Sequence, residues 1–511
     1  LYKLIQMRIE KLVSLRKQFK KKNLKVGLVH GVFDILHSGH IDHLREAKSH
    51  CDKLIVTVTS DRFVNKGPNR PIFPIETRLQ CIAALEKVDY VCSNSDGNAV
   101  NAIRVLKPNV YCKGKDYLDN KLDVTGQIKN EEKAVKSIGG KIAYTIDRLF
   151  SSSKIINSSG FNLSNYQKKF LNKIKSNKDF NNSEKISKTI NSFFDLKILV
   201  IGETIIDEYV FCEALGKSGK EPVLVLRDLY AEKYLGGAAA IARNLSGFCK
   251  KITLLSSIGE KKEHLAFINK NLPKNIIKDF LAKKNSSTIV KKRFVDDTNK
   301  NKVLGVYSIN DNPLNKAQSL DLNRRIMKQI KNHDLVIVSD YGHGFISRDS
   351  AKKIVKNSKF IAVNAQLNAA NVGHHTISNY IGANLVIINE NEMRHEMRNK
   401  YDHVDTLIKK LSNKLKSDYT TVTSGNDGSK IYSRIQNKIL SCPAFAKNVV
   451  DKVGTGDAML ALLSIGIYRK KDINFSMLVS ALAAAIKIQF MGNSKQLKKM
   501  DIIKSLQAYL S

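Results

Sequence analysis

Two short segments of this chain combine residue types and spacings suited to phosphate chemistry. The first, His30-Gly31-Val32-Phe33-Asp34-Ile35-Leu36-His37-Ser38-Gly39-His40, follows an apolar run at 26–29 and leads into helical spacing. A strand that feeds a glycine-bearing turn and then a helix N-terminus makes an anion site from free backbone N–H groups and the helix dipole. His37 and His40, three residues apart, can both face that anion and donate hydrogen bonds to charge that builds on a reacting phosphorus. The second segment is Asp451-Lys452-Val453-Gly454-Thr455-Gly456-Asp457-Ala458, with an apolar helix-like run after it. Gly454 and Gly456 let the backbone, with Thr455 between them, approach a phosphate closely at a helix N-terminus. Asp457 at that turn can take the proton of an attacking hydroxyl while the donors stabilise the phosphoryl group.

The elements around these segments must place them at the ends of a sheet. In the first third, strand patterns at 26–29, 53–59, 90–92, 110–112 and 142–145 alternate with helical patterns such as 75–85 and 99–106. Such alternation predicts a parallel sheet covered by helices. From 151 to about 195 the chain turns polar and rich in Asn, Ser and Lys, the composition of an interdomain linker. A new strand at 197–201, ending at Gly202, opens a second α/β region with later strands at 335–338, 360–363, 385–388 and 419–423. Alternating apolar residues at 221–234 and 288–307 predict a small antiparallel sheet that can act as a lid. The expected division is 1–157, a linker at 158–195, and 196–511.

The first segment resembles the HxGH nucleotidyltransferases, and more closely the cytidylyltransferase-like branch that includes glycerol-3-phosphate cytidylyltransferases and heptose-1-phosphate adenylyltransferases. The resemblance runs over about 26–156 and includes Ser60-Asp61, Gly67-Pro68-Asn69-Arg70-Pro71, Glu76-Thr77-Arg78, Lys113-Gly114-Lys115-Asp116-Tyr117 and Ser151-Ser152-Ser153-Lys154-Ile155-Ile156. It implies a Rossmann-like domain in which Gly31, Phe33, His37, His40, Arg78, Lys113, Ser151, Ser152 and Ser153 bind the nucleotide, with His37 and His40 on its phosphates and Arg78 adding charge. Family members usually carry Ser-Thr-Thr or Ser-Thr-Ser at the last motif, and three serines keep its donors. His43, one turn beyond His40, is expected to be a helix-surface histidine.

The second segment resembles the signature of the ribokinase-like, or phosphofructokinase B, sugar kinases, over about 197–495. Supporting pieces occur in family order: Gly202 with Asp207, Gly236-Gly237 with Asn244, Asp340-Tyr341-Gly342-His343-Gly344, Asn389-Glu390-Asn391-Glu392, and Thr423-Ser424-Gly425 with Gly428. The resemblance implies that Asp207, Gly236, Gly237 and Asn244 meet the sugar. Asp457 is then the base and Gly454, Thr455 and Gly456 the anion hole. Asn389 and Glu392 organise magnesium and phosphate, Glu392 indirectly, and Thr423, Gly425 and Gly428 line the ATP side. Within that family the likeness is greatest to heptose 7-phosphate kinases, through Glu221-Pro222-Val223-Leu224-Val225-Leu226 and Leu235-Gly236-Gly237-Ala238-Ala239. Two features depart from it. In bifunctional heptose kinase/adenylyltransferases the kinase comes first, and here it comes second. Asn364-Ala365-Gln366-Leu367-Asn368 stands where the family has an Asp-Pro-Lys type segment.

Composition bounds these expectations. The 511 residues exceed one hydrophobic core and suit two or three domains. A formal charge of +38 first suggests nucleic acid or an anionic membrane, yet the basic runs at 20–22, 291–293 and 469–471 lie far apart with no interleaved aromatics and no tryptophan. Neither partner is expected. Seven cysteines without a CxxC pair fit free thiols in the cytoplasm. No apolar stretch reaches the ~20 residues of a membrane helix. The chain opens at Leu1 rather than Met, which leaves open whether residues precede it. The resulting expectation is a bifunctional, magnesium-dependent enzyme of nucleotide-activated sugar synthesis. It would use ATP as phosphoryl donor and ATP or CTP as nucleotidyl donor, act on sugar phosphates, and pair as a homodimer through the kinase lid. The competing expectations are a polyol-phosphate cytidylyltransferase fused to a kinase of other specificity, and a nucleotide-binding regulator.

Overall fold

A computed structural model describes residues 9–64, 70–114, 127–145, 163–368, 371–446 and 449–510. The chain forms two compact units, one built on Leu1–Ser164 and the other on Asn165–Ile503.

In the first unit, β1 (Val26–Gly31), β2 (Lys53–Thr59), β3 (Tyr90–Asn94), β4 (Val110–Gly114) and β5 (Lys141–Thr145) form one sheet in the order β3-β2-β1-β4-β5. All its pairings are parallel. Successive residues of a strand face opposite sides, so Leu28 and Ile55 enter one apolar cluster with Leu12, Ile103 and Leu106, while Val29 and Val56 enter the other with Leu44, Leu79 and Ile82. Helices therefore cover both faces, as the alternating pattern requires. The chain leaves β1 toward β2 on one side and returns to β4 on the other, which opens a crevice outside the carboxyl ends of β1 and β4. The turn carrying His37 and His40 follows β1 at that crevice.

In the second unit, β6 (Lys197–Lys217), β7 (Leu224–Gly236), β8 (Lys251–Gly259), β9 (Ile276–Lys283), β10 (Ile289–Asp296) and β11 (Lys302–Ser308) precede β12 (Leu335–Asp340) and β13 (Ile361–Ala365). The sheet then continues through β14 (Leu385–Asn389), β15 (Tyr419–Thr423), β16 (Ser429–Ser433) and β17 (Lys438–Cys442). The first half of β6 pairs in parallel with β8 and β12. Its second half leaves the main sheet and pairs with β7 and β10, and β10 pairs with β11, which makes the lid. Gly202 does not end this strand. A Cβ there would run into the Ser339 carbonyl of β12, so the glycine permits a close strand approach inside a continuous 21-residue strand. The main-sheet core gathers Leu199, Ile201, Val336, Val338, Val363, Val386 and Val422 against helix residues such as Ile354, Leu407 and Leu411.

The polar stretch expected to be a linker differs beyond residue 164. Helices Asn165–Lys175 and Ser183–Asn191 bury Phe170, Leu171, Ile174, Ile186 and Ile190, and the turn between them buries Phe180. Phe180 stacks on Phe475 at 3.9 Å and Gln167 Nε2 donates to the Ala444 carbonyl at 2.6 Å. The apolar positions are sparse, but they fall on one face of each helix, and the Asn and Lys residues occupy the solvent side. A fragment that begins near Asn191 would lose six buried side chains worth about 1.5–3 kcal/mol each. It is expected to melt well below a fragment that begins at Ser164, or to aggregate, when the two are compared by circular dichroism.

Candidate active sites

At the crevice of the first unit, the rings of His37 and His40 stack with centroids 3.9 Å apart, and Phe33 meets His40 edge-on at 5.2 Å. His37 is the N-cap and His40 lies in the first turn of helix Ser38–Ser49. Gly31 is required by contact, because a Cβ there would stand 2.9 Å from the Phe33 ring. Phe33 itself has φ of +49°, so the turn between strand and helix is tight. Asp34 is buried beneath it, accepting from Arg70 Nε at 2.7 Å and from the backbone N–H groups of Ile72 and Phe73.

Arg78 takes a different place from the one implied by resemblance. Its guanidinium is fully buried and donates to the carbonyls of Val32, Thr59 and Phe73 and to Asp61. With its fork spent on four acceptors, Arg78 braces the turn from below rather than offering charge to a phosphate. Lys113 at the end of β4 donates to Glu131 at 2.7 Å and to the Tyr111 hydroxyl at 3.2 Å, in a nearly buried pair. His43 is not a surface histidine. Its Nδ1 lies 2.6 Å from Thr145 Oγ1 at the end of β5, and burial, helped by the Lys113 charge, pushes its pKa down to about 4. His30 is held down to about 4 for the same two reasons and contacts Thr57 Oγ1 at 2.9 Å. His30 and His43 are thus neutral imidazoles close to the Lys113 ammonium. The spacing of His37, His40 and His43 at successive intervals of three was the available signal for His43, since such positions share a helix face. Ser151, Ser152 and Ser153 lie outside the described residues.

The second site is built where β6 passes from sheet to lid. Asp207 on β6 is buried and accepts from Arg293 of β10 at 2.6 Å. Gly236 and Gly237 open helix Gly237–Leu245 beside it. A Cβ at Gly236 would collide with the Asp207 carboxylate, and one at Gly237, where φ is +59°, with the Glu203 carbonyl. Asn244 does not join this group. It stands seven residues further along the helix, ~10 Å of rise, and its Oδ1 accepts from Leu497 N at 3.4 Å.

Asp457 occupies the first turn of helix Thr455–Tyr468, with Gly454 as N-cap at φ +82°. Its carboxylate accepts the Tyr341 hydroxyl at 3.0 Å. Desolvation, with the Asp207 charge adding to it, pushes the Asp457 pKa up to about 6 against the opposing pull of the Tyr341 bond, Lys487 and Lys291. Among the described residues, no atom outside its own helix turn lies within 4 Å of where a Gly456 Cβ would stand, while the Thr455 hydroxyl turns back to the Lys452 carbonyl at 2.8 Å. Asp451, the first residue of the motif, is a brace. It accepts from Tyr209, Gly492 N, Val453 N and Lys302, and so ties lid strands β6 and β11 to the turn. Two further residues face the base: Tyr341, directly after β12, and Lys291 on β10, whose Nζ lies 5.3 Å from the Tyr341 ring and 5.7 Å from the Tyr307 ring. Both stood inside motifs already singled out, but only the sheet order reveals that they meet Asp457.

Asn389 and Thr423 are paired neighbours at the carboxyl ends of β14 and β15. Asn389 and Glu392 form a capping box, with Glu392 N donating to Asn389 Oδ1 at 2.8 Å and Asn389 N to Glu392 Oε2 at 2.9 Å. The other Glu392 oxygen accepts from Leu367 N at 3.2 Å, and burial raises its pKa. Each carboxylate oxygen keeps a second lone pair, which suits a contact to magnesium through water, as that ion retains several waters and relies on substrate phosphates. Among the described residues no cluster of three His, Cys, Asp or Glu side chains forms a protein cage for a metal. Gly425, at φ +56°, borders open space, whereas a Cβ at Gly428 would strike the Cys442 carbonyl, which makes Gly428 a turn residue.

Comparison with known proteins finds separate matches for the two regions. Residues 28–158 match the cytidylyltransferase-like family model. A protein of Granulibacter bethesdensis named bifunctional protein HldE is 41% identical over 131 residues, 25% of this chain and 26% of that protein. The bifunctional protein HldE of Helicobacter pylori strain G27 is 29% identical over 307 residues, 58% of this chain and 64% of that protein. Each match therefore spans less than two thirds of the relative. Phosphofructokinase-2 from Escherichia coli, solved in complex with fructose-6-phosphate, superposes with a TM-score of 0.50 at 14% identity over 61% of this chain and 98% of that structure, a likeness of fold. A ribokinase-like structure from Agrobacterium tumefaciens gives 0.50 at 13% identity over 62% of this chain and 99% of that one. The model of the pfkB family carbohydrate kinases matches residues 195–500, more than half of the chain, and the chain belongs to that family.

Proposed function

We propose that the chain performs two group transfers of nucleotide-activated sugar synthesis: ATP-dependent phosphorylation of a sugar phosphate, heptose 7-phosphate first among candidates, and nucleotidyl transfer to a sugar 1-phosphate with release of pyrophosphate. The observation that carries the kinase half is Asp457, with its raised pKa, at a glycine-opened helix N-terminus and electrostatically coupled to Asp207. In this reading Asp207, Gly236 and Gly237 hold the sugar and Asp457 accepts the proton of its hydroxyl. The N–H groups of Gly454, Thr455 and Gly456 meet the phosphoryl group, and Asn389, Thr423, Gly425 and Glu392 border ATP and its magnesium. Magnesium, when bound, supplies positive charge to the phosphate oxygens. In the other half, His37 and His40 donate to the phosphates of the nucleotide, and Lys113 supplies charge behind them. A kinase product that carries two phosphates cannot enter the second transfer until a phosphatase-class step removes one.

Exposed Leu224, Val225, Leu229 and Tyr230 of β7 and Val303, Leu304, Val306 and Tyr307 of β11 support a homodimer through the lid. Light scattering is expected to give twice the chain mass. All seven cysteines are free, which supports a cytoplasmic setting. No helix among the described residues is long and apolar enough to cross a membrane.

The test is a panel of ATP, CTP and GTP with heptose 1-phosphate and glycerol 3-phosphate, read by pyrophosphate release, beside ADP release on free and phosphorylated sugars. Pyrophosphate release from ATP with heptose 1-phosphate is expected, together with preference for a phosphorylated kinase acceptor. Release only from CTP with glycerol 3-phosphate, or equal kinase use of free sugars, would overturn the heptose assignment.

A further inference from the structure

The segment after helix Ile473–Lys487 returns to the Gly454 turn and is strapped there. Gly492 N donates to Asp451 Oδ2 at 2.9 Å, Arg243 to the Asn493 carbonyl at 2.9 Å, and Lys487 Nζ to the Lys495 carbonyl at 2.6 Å. Val450 N and Asp451 N both donate to the Ile488 carbonyl. Between these straps sits Asn493, 2% exposed, and among the described residues neither Oδ1 nor Nδ2 of its carboxamide has a partner. Either orientation of the amide leaves a buried donor and acceptor unused. Its place is defined by contact: a Cβ on Gly454 would collide with Asn493 Oδ1, so the carboxamide lies against the N-cap of the 14-residue helix Thr455–Tyr468. Two residues on from Gly454, the position over Gly456 is open among the described residues.

A buried carboxamide without a partner is unfavourable unless something completes it. Backbone straps hold it rigidly next to a helix N-terminus, whose N–H groups and dipole favour an anion. We propose that Asn493 is a further catalytic residue of phosphoryl transfer, its Nδ2–H donating to an oxygen of the phosphoryl group in flight; this rests on the kinase reading above. In that step the sugar hydroxyl oxygen bonds to the γ-phosphorus of ATP. The bond from that phosphorus to the bridging oxygen of ADP breaks with its electron pair on ADP, and the hydroxyl proton passes to Asp457. Charge spreads over the three equatorial oxygens during transfer. A neutral amide serves one of them without the desolvation cost of a third cation beside Lys291 and Lys487. Lys487 is a positioning residue, since its ammonium donates to the Lys495 carbonyl and holds the segment rather than the phosphate.

The experiment uses the full chain with Asn493→Ala and Asn493→Asp. ADP release from ATP is followed with heptose 7-phosphate, fructose 6-phosphate and ribose 5-phosphate as acceptors, and melting is followed by circular dichroism. On the acceptor that the wild type uses, Asn493→Ala is expected to lower kcat by roughly 10²-fold with KM for the acceptor within about threefold. Its melting temperature should be unchanged or higher, because removal of an unsatisfied buried amide relieves the folded state. Asn493→Asp keeps the shape but repels the phosphoryl oxygens, and should lose more. A kcat within twofold of wild type would overturn the inference, as would a loss of kcat accompanied by a lower melting temperature, the mark of a structural residue. A wild type that releases no ADP on any acceptor would overturn the kinase reading and this inference with it, whereas an active wild type with unaffected variants overturns this inference alone.

Discussion

Asp457→Asn is expected to lower ATP-dependent sugar phosphorylation by about 10²-fold or more, the range for loss of a positioned general base, while pyrophosphate release by the other half stays near wild type. The amide keeps the shape and the contact to the Tyr341 hydroxyl but cannot take a proton. Because the wild-type carboxyl titrates at about 6, its kinase rate should also fall as pH drops through that value, as the base form disappears. Stability runs the other way. A carboxyl that holds its proton more tightly when folded than its ordinary value of 3.8 stabilises the fold below about pH 4, and that contribution is lost as pH rises through about 6. Wild type should therefore gain melting temperature between pH 7 and pH 5 through this group, and Asp457→Asn should lack that gain and melt at the same or a higher temperature at pH 7. If the variant abolishes both reactions with melting unchanged, the two halves do not act independently.

Replacing His37 or His40 by Ala is expected to lower pyrophosphate release by about 10²-fold or more, the cost of removing one donor to a developing oxyanion. The stacked pair sits at the crevice outside the carboxyl ends of β1 and β4, where the two rings orient each other and Phe33 packs edge-on against His40. Single-turnover kinetics should show the loss in the transfer step with nucleotide affinity reduced less. Sugar phosphorylation should be unaffected. Full pyrophosphate release by a folded His37→Ala/His40→Ala double variant would exclude the pair from the reaction.

Both glycine turns were legible because their chemistry is local. A strand, a turn that needs glycine and a helix start occupy about a dozen consecutive residues in each case, and backbone sterics limit what such a segment can do. The parallel sheets were legible for a related reason, since strands covered on both faces read as apolar runs. The lid was visible at 221–234 and 288–307, but its third member was hidden. β6 runs on past Gly202 because the glycine accommodates the Ser339 carbonyl, a contact 137 residues away in the chain. The helices at Asn165–Lys175 and Ser183–Asn191 were masked by a composition in which few apolar residues sit among many polar ones.

What the amino-acid order determined by itself is the kind of chemistry at each turn: donors for phosphate beside His37 and His40, and a carboxylate at a helix start in Asp457. Tertiary structure decided which neighbouring groups remain available. Arg78 and Lys113 both look like phosphate ligands along the chain, yet Arg78 is consumed by three carbonyls and Asp61, whereas Lys113 shares its charge with Glu131 from behind the crevice. His43 acquires Thr145 from 102 residues away, and Asp457 acquires Tyr341 from 116 residues away. The physical reason is that a side chain's hydrogen-bonding capacity is set by its type, whereas the partners that use it up are set by strand order. The crevice at the carboxyl ends of adjacent parallel strands is where such distant residues meet a ligand.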